Sequence, residues 1–139
     1  MNIKKVENLL LGLPAWVLSA VTVSAVMYLT LVPRPLPDMG VSFWEHTDKV
    51  VHAIMMAGVV WAVSLDIMRR NRSRVIRLRF PDIVAVCVAV VLFGGAIELA
   101  QGTEFIGRGA DWADFWADTA GAVIAGMVTW RLPWPYRQC

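Results

Sequence analysis

The chain has 139 residues, 58% of them hydrophobic and only 17% charged, with a net charge of +2. Soluble domains run to about 45–50% apolar and about 25% charged residues. The composition therefore excludes a disordered chain and argues against a small cytosolic enzyme, while the length fits a single domain over residues 1–139. Cys87 inside an apolar run and Cys139 at the last position give neither a disulfide framework nor zinc-finger spacing.

Residues 9–32 carry no charge over 24 positions, more than the roughly 20 apolar residues a helix needs to cross a bilayer. Lys4 and Lys5 precede the run as they would in a signal peptide, but a cleavable apolar region is only about 7–15 residues long. A retained first transmembrane helix is expected, with Pro14 tolerated near its start. Pro33, Pro35 and Pro37 then favour an extended start to a loop over residues 33–47, where Phe43 and Trp44 suit a short surface helix.

Three shorter runs follow: 16 uncharged residues at 50–65, 15 at 83–97 and 12 at 119–130. The third of these takes its helical pattern from near Asp111, and Pro133 and Pro135 end it. The glycine-rich segment 102–109 predicts a tight turn that folds Arg108 back over the helix ends.

Charge asymmetry sets the topology. Lys4, Lys5, Arg131, Arg137 and six arginines between 69 and 79 place ten basic residues on one side against Glu7, Asp66 and Asp82, a net +7. The other side has Arg34, Lys49 and Arg108 against eight acids, a net −5. By the positive-inside rule the expected fold is an all-α, multi-pass four-helix transmembrane bundle with both termini cytoplasmic. The arginine-rich loop lacks interleaved aromatics, so it reads as a lipid-headgroup anchor, and no nucleic acid partner is expected.

The shortfall of the last three runs comes from ionisable residues at one depth. Counted from the cytoplasmic anchors at about 1.5 Å per residue, His52, Glu98 and Asp114 lie about 25, 24 and 25 Å in, and Asp118 about one turn deeper. Spacing also selects faces. Asp48 and His52 are four apart with Lys49 beside them, Glu98 and Gln101 are three apart, and Asp111, Asp114 and Asp118 continue into Gly121 and Ala125. An ionised group facing hydrocarbon costs at least about 2.5–3.5 kcal/mol, so these groups should face one another or a watery vestibule.

The stretch Asp48-Lys49-Val50-Val51-His52, then Glu98-Leu99-Ala100-Gln101, Gly107-Arg108, Asp114 and Gly121 resembles the signature of VanZ-like membrane proteins over about residues 48–126. The departure is Asp118, where the family pattern carries asparagine. The resemblance implies a small bacterial integral membrane protein linked to resistance to the glycopeptide teicoplanin. It implies no defined biochemical activity.

The leading expectation is an extracytoplasmic site for an amphiphilic or cell-wall-related ligand. Asp48, Lys49, His52, Glu98, Gln101, Arg108, Asp114 and Asp118 would form it, with Lys49 and Arg108 gripping phosphate or carboxylate. Membrane lipids and a lipid-linked or lipoglycopeptide ligand are the expected partners, and Trp112, Phe115 and Trp116 could flank an apolar portion or serve as an ordinary aromatic belt. The alternative is acid–base catalysis on a lipid-linked substrate, with His52 oriented by Asp48 as base and Glu98 as acid. No convincing nucleophile accompanies them, since Ser42 and Thr47 are near only in sequence, so binding ranks ahead of catalysis. A purely structural polar network is the third reading. No cofactor or metal is expected: His46, Asp48, His52 and Glu98 are acceptable ligand types, but His46 need not share a face with His52, and the neighbouring basic residues favour a salt-bridged His52 over a zinc ligand. Proton or ion transport ranks lower, because ionisable groups are sought in vain in the inner halves of the helices.

Overall fold

The computed structural model describes residues 12–32, 47–69, 78–107 and 109–132. Among them are four helices in chain order, α1 (Val17–Leu31), α2 (Thr47–Arg69), α3 (Phe80–Gln101) and α4 (Trp112–Arg131), and no strand. The helices α2 and α3 are long and apolar enough to cross a membrane, whereas α1 has only 15 residues and α4 carries carboxylates in its first turns. The termini, the loop over 33–46, the arginine-rich residues 70–77 and Arg108 lie outside the described residues.

Buried positions recur at helical spacing on all four elements. Val26 from α1, Met56, Val59 and Val60 from α2, Val86, Val90 and Ile97 from α3, and Ala122 and Ala125 from α4 form one core. Small residues bring the partners of α4 close. A Cβ on Gly121 would run into the backbone carbonyl of Ala53 in α2, and one on Gly126 would meet the Cys87 sulfur in α3. Among the described residues the α2–α4 interface is the most extensive, and α1 packs on α2 and α3.

The pairing Ala53–Gly121, with side-chain contacts from Lys49 to Asp114 and from His52 to Asp118, makes α2 and α4 parallel neighbours. Their N-termini and the C-termini of α1 and α3 therefore lie at one end of the bundle. At the other end Met68, Leu78 and Ile83 form a smaller apolar cluster, and Phe80 packs edge-on against Trp130 at 5.3 Å.

Local signals explain most boundaries. Pro81 and Asp82 start α3, and the Asp82 carboxylate accepts from the Arg79 backbone N–H at 3.0 Å. Asp111 is the N-cap of α4 and accepts from Ala113 N at 2.8 Å. The helix stops at Leu132, whose extended backbone is the conformation required before Pro133. The predicted glycine turn is present: Gly107 and Gly109 have φ of 66° and 80°, and Gly109 N donates back to the Gln101 carbonyl.

The first span departs from the expected continuous helix. It is interrupted at residues 13–16, where Trp16 adopts a left-handed backbone with φ 71° after Pro14, and the regular helix begins at Val17. Side chains from other helices compensate for the shortened ends. Asp66 in α2 is fully buried, and its Oδ2 accepts from Ser19 N at 2.8 Å and Ser19 Oγ at 2.7 Å, satisfying an orphan N–H in the first turn of α1. Asp66 Oδ1 accepts from Arg69 Nε at 2.8 Å, and Arg69 Nη2 also reaches the Pro14 carbonyl at 2.8 Å. At the opposite end Gln101 Nε2 donates to the Thr30 carbonyl of α1 at 2.8 Å. Asp66, by sequence a charge at the edge of an apolar run, is thus folded inward as a cap for the neighbouring helix.

Removing one partner of a buried ion pair costs about 3–5 kcal/mol. Asp66→Ala should therefore lower the thermal midpoint of the detergent-solubilised protein sharply, whereas Asp82→Ala, at the rim, should move it little. Equal midpoints for wild type and Asp66→Ala would show that α1 does not depend on this cap.

Candidate functional site

The N-terminal turns of α2 and α4 meet the last turns of α3 in a graded polar cluster. Its outer layer is an ion pair: Lys49 Nζ lies 3.1 Å from both Asp111 Oδ2 and Asp114 Oδ1. The lysine is about one-third exposed and Asp111 more so, while Asp114 is nearly covered. Below them His52 Nδ1 is 3.1 Å from Asp118 Oδ1, and the opposite ring nitrogen Nε2 is 3.9 Å from Asp114 Oδ2. His52 and Asp118 are 5% and 0% exposed, so this second layer is dry.

Glu98 enters from α3. Its Oε2 accepts from the backbone N–H of Asp111 at 3.0 Å, which ties the end of α3 to the start of α4. The other oxygen, Oε1, is buried without a hydrogen-bond partner, as is Asp118 Oδ2. The position of Asp118 depends on Gly94, where an added Cβ would lie 2.9 Å from Asp118 Oδ2. Gly94 stands one turn below Glu98 on α3, so the free Asp118 oxygen is directed towards the helix that also supplies Glu98.

The acids gain from where they stand. Asp48 and Asp114 lie in the first turns of parallel helices and Asp111 caps one of them, so both positive helix ends point into the cluster. The Ala113 backbone N–H and the neighbouring Lys49 ammonium together hold the Asp111 carboxyl below the usual carboxylate range. The cluster holds, among the described residues, more acidic than basic side chains, with Asp48, Glu98, Asp111, Asp114 and Asp118 against Lys49 and His52.

Among the described residues the predicted positions separate into groups. Lys49, His52, Glu98, Asp114 and Asp118 are joined by contacts among themselves and with Asp111. Asp48 is exposed beside them, with a carboxylate oxygen within 4.8 Å of donor atoms of His52 and Asp114. Gln101 spends its amide nitrogen on the α1 carbonyl. Arg108 lies outside the described residues.

Two readings from spacing change. The hydrogen-bonding carboxylate of His52 is Asp118, not Asp48 one turn away on its own helix. Asp118 is also level with His52 and not a turn deeper. The stagger between paired residues of α2 and α4 is 66 for His52–Asp118, which sets Arg131 beside Leu65, about one turn short of the Arg69 anchor. Asp111, absent from the predicted site, contributes through both its carboxylate and its backbone N–H. Its N-cap position before an apolar pattern was the signal available for it.

A cleft of about 410 Å³ opens beside the cluster between α3 and α4, lined by Glu98 and Asp111 at one end and by Gly95, Leu92, Trp112 and Phe115 along its length. Phe115 packs edge-on with Trp112 at 6.2 Å and with Trp116 at 5.9 Å, and of this predicted aromatic group Trp112 and Phe115 line the cleft. A second cleft of about 390 Å³ shares Val91 and Leu92 with the first and runs on past Val84 and Met127 to Phe80 and Trp130. The two clefts adjoin at Val91 and Leu92 along the α3–α4 groove; both are almost wholly apolar, and Glu98 and Asp111 border only the one beside the cluster.

Comparison with protein-family models, with curated proteins and with solved structures gives no match for this chain.

Because its folded carboxyl titrates lower than in the unfolded chain, Asp111 stabilises the fold above about pH 4, and that contribution fades as pH falls through the folded value. Asp111→Ala should thus melt below wild type at pH 7 in detergent, with the gap narrowing below about pH 4. A gap that stays constant over this range would show that the charge on Asp111 contributes nothing.

Proposed function

We propose that this chain is a multi-pass membrane protein that binds the polar head of an amphiphile in the cluster and its apolar tail in the α3–α4 groove. The observation that carries this reading is adjacency: Glu98 and Asp111 of the cluster border a cleft whose exposed wall, with Leu92 and Phe115, is apolar. An amphiphile has the same division between polar and apolar ends.

The outward faces support a bilayer setting. Ile54 is 65% exposed and Leu92 69%, and α3 carries apolar side chains on its exposed and buried faces alike. Trp112 and Trp130, both exposed, stand 18 residues apart on α4. That separation is about 27 Å, close to the hydrocarbon thickness that interfacial aromatics bracket. The positive-inside bias of the sequence supports a bacterial inner-membrane orientation with the cluster extracytoplasmic and both termini cytoplasmic. The resemblance to VanZ-like proteins adds a cell-envelope ligand and a link to teicoplanin resistance.

The geometry favours a headgroup that donates hydrogen bonds or carries positive charge. Lys49, expected to grip an anion, is already shared between Asp111 and Asp114, so among the described residues carboxyl groups outnumber cations. An acid–base reaction on a lipid-linked substrate is the second reading. It is favoured by the His52–Asp118 contact, which orients the ring as a base would require.

Fluorescent amphiphiles of equal chain length, one a primary amine and one a phosphate, would test the proposal on protein reconstituted in nanodiscs. The amine should bind about tenfold or more tightly than the phosphate, equivalent to about 1.4 kcal/mol. Glu98→Gln should erode that preference, and Leu92→Trp should weaken both ligands by filling the groove. Preference for the phosphate, or indifference to both substitutions, would overturn the reading.

A further inference from the structure

The geometry points to a divalent metal site formed by His52, Glu98 and Asp118. Each of these residues offers a donor atom, a ring nitrogen or a carboxylate oxygen, and the three atoms lie within 4.8 Å of one another. The residues come from three different helices and are 5%, 6% and 0% exposed. Three donors around a metal ion with bonds of about 2.0–2.2 Å stand about 3.3–3.8 Å apart, so binding draws these atoms together by up to about 1–1.5 Å, within reach of side-chain rotation.

The independent sign of a ligand is the pair of unsatisfied oxygens. Glu98 Oε1 and Asp118 Oδ2 are buried with no hydrogen-bond donor. An acceptor left unpaired in a dry site costs free energy, and two carboxylates facing one space without a cation cost more. The hydrogen bond from Asp111 N holds Glu98 through its other oxygen and leaves Oε1 available, while Asp118 Oδ2 faces α3 over Gly94. Two carboxylates and a neutral imidazole cancel the charge of a divalent ion, and one nitrogen with two oxygens suits zinc, cobalt or manganese better than a soft metal. Three protein ligands leave a coordination position open.

The neighbouring trio of Asp48, His52 and Asp114 is the weaker candidate, because Asp48 is exposed and Asp114 already bonds the Lys49 ammonium. The sequence alone favoured a salt-bridged His52 over metal ligation with His46 and Asp48. Asp118, contributed by α4, replaces those two residues in the proposed ligand set.

The test uses the tag-free full chain in detergent micelles, stripped with chelator and then titrated with Co²⁺ or Zn²⁺ alone. No amphiphile is present, so this proposal and the one on ligand binding fail separately. The expected result is one tightly held ion per chain after gel filtration, with visible d–d absorption for Co²⁺. Glu98→Gln and Asp118→Asn should each weaken binding at least tenfold, and Asp114→Asn should retain the ion. Should one variant not fold by circular dichroism, the other decides. No stoichiometric ion in wild type, or unchanged binding in the folded variants, would overturn the site.

Discussion

The molecule depends on the close parallel approach of α2 and α4. Gly121 against the Ala53 carbonyl permits that approach, and acids on α4 face Lys49 and His52 on α2 because of it. Parallel neighbours bring two positive helix ends to the same place, which favours carboxylates there and disfavours added cations. The result is a cluster with more acceptors than donors, closed on its third side by Glu98 from α3. Gly94 completes the arrangement by leaving room for Asp118. The chemistry of the site thus follows from three small side chains or their absence as much as from the ionisable groups themselves.

The opposite end of the bundle solves a different problem with similar means. A helix interrupted by Pro14 and Trp16 begins too late to satisfy its own first turn, and Asp66 from α2 supplies the missing acceptor. Arg69 then neutralises Asp66 and holds the Pro14 carbonyl. Gln101 serves the other end of the same short helix. Both ends of α1 are therefore anchored by polar side chains from its neighbours, and the apolar core of Met56, Val60 and Val90 separates these polar layers.

Much of this was legible in the sequence, and the limits have physical causes. Runs of apolar residues mark the helices because a buried or lipid-facing helix must be apolar along its length, and the interruption of those runs by acids and bases near one depth marks the site. Spacing of three and four identifies residues on one face of one helix, but it says nothing about which helix lies opposite. That is why Asp48 was an obvious partner for His52 by sequence, while Asp118, 66 residues away, holds that place in the fold. Counting depth from Arg69 and Arg131 assumed that α2 and α4 end together, and a one-turn stagger displaced Asp118 by the same amount. Asp66 read as a boundary charge because a cap for another helix leaves no local pattern. Gln101 has the right spacing from Glu98, yet its amide serves α1.

The central claim is that His52 and Asp118 meet in the dry interior between α2 and α4. A double-mutant cycle with His52→Ala and Asp118→Ala, measured by unfolding in detergent with chelator present, tests that contact alone. The account predicts a coupling of about 1 kcal/mol or more between the two positions, within the range for residues in direct contact. Effects that add to within about 0.3–0.5 kcal/mol, as for distant sites, would contradict it.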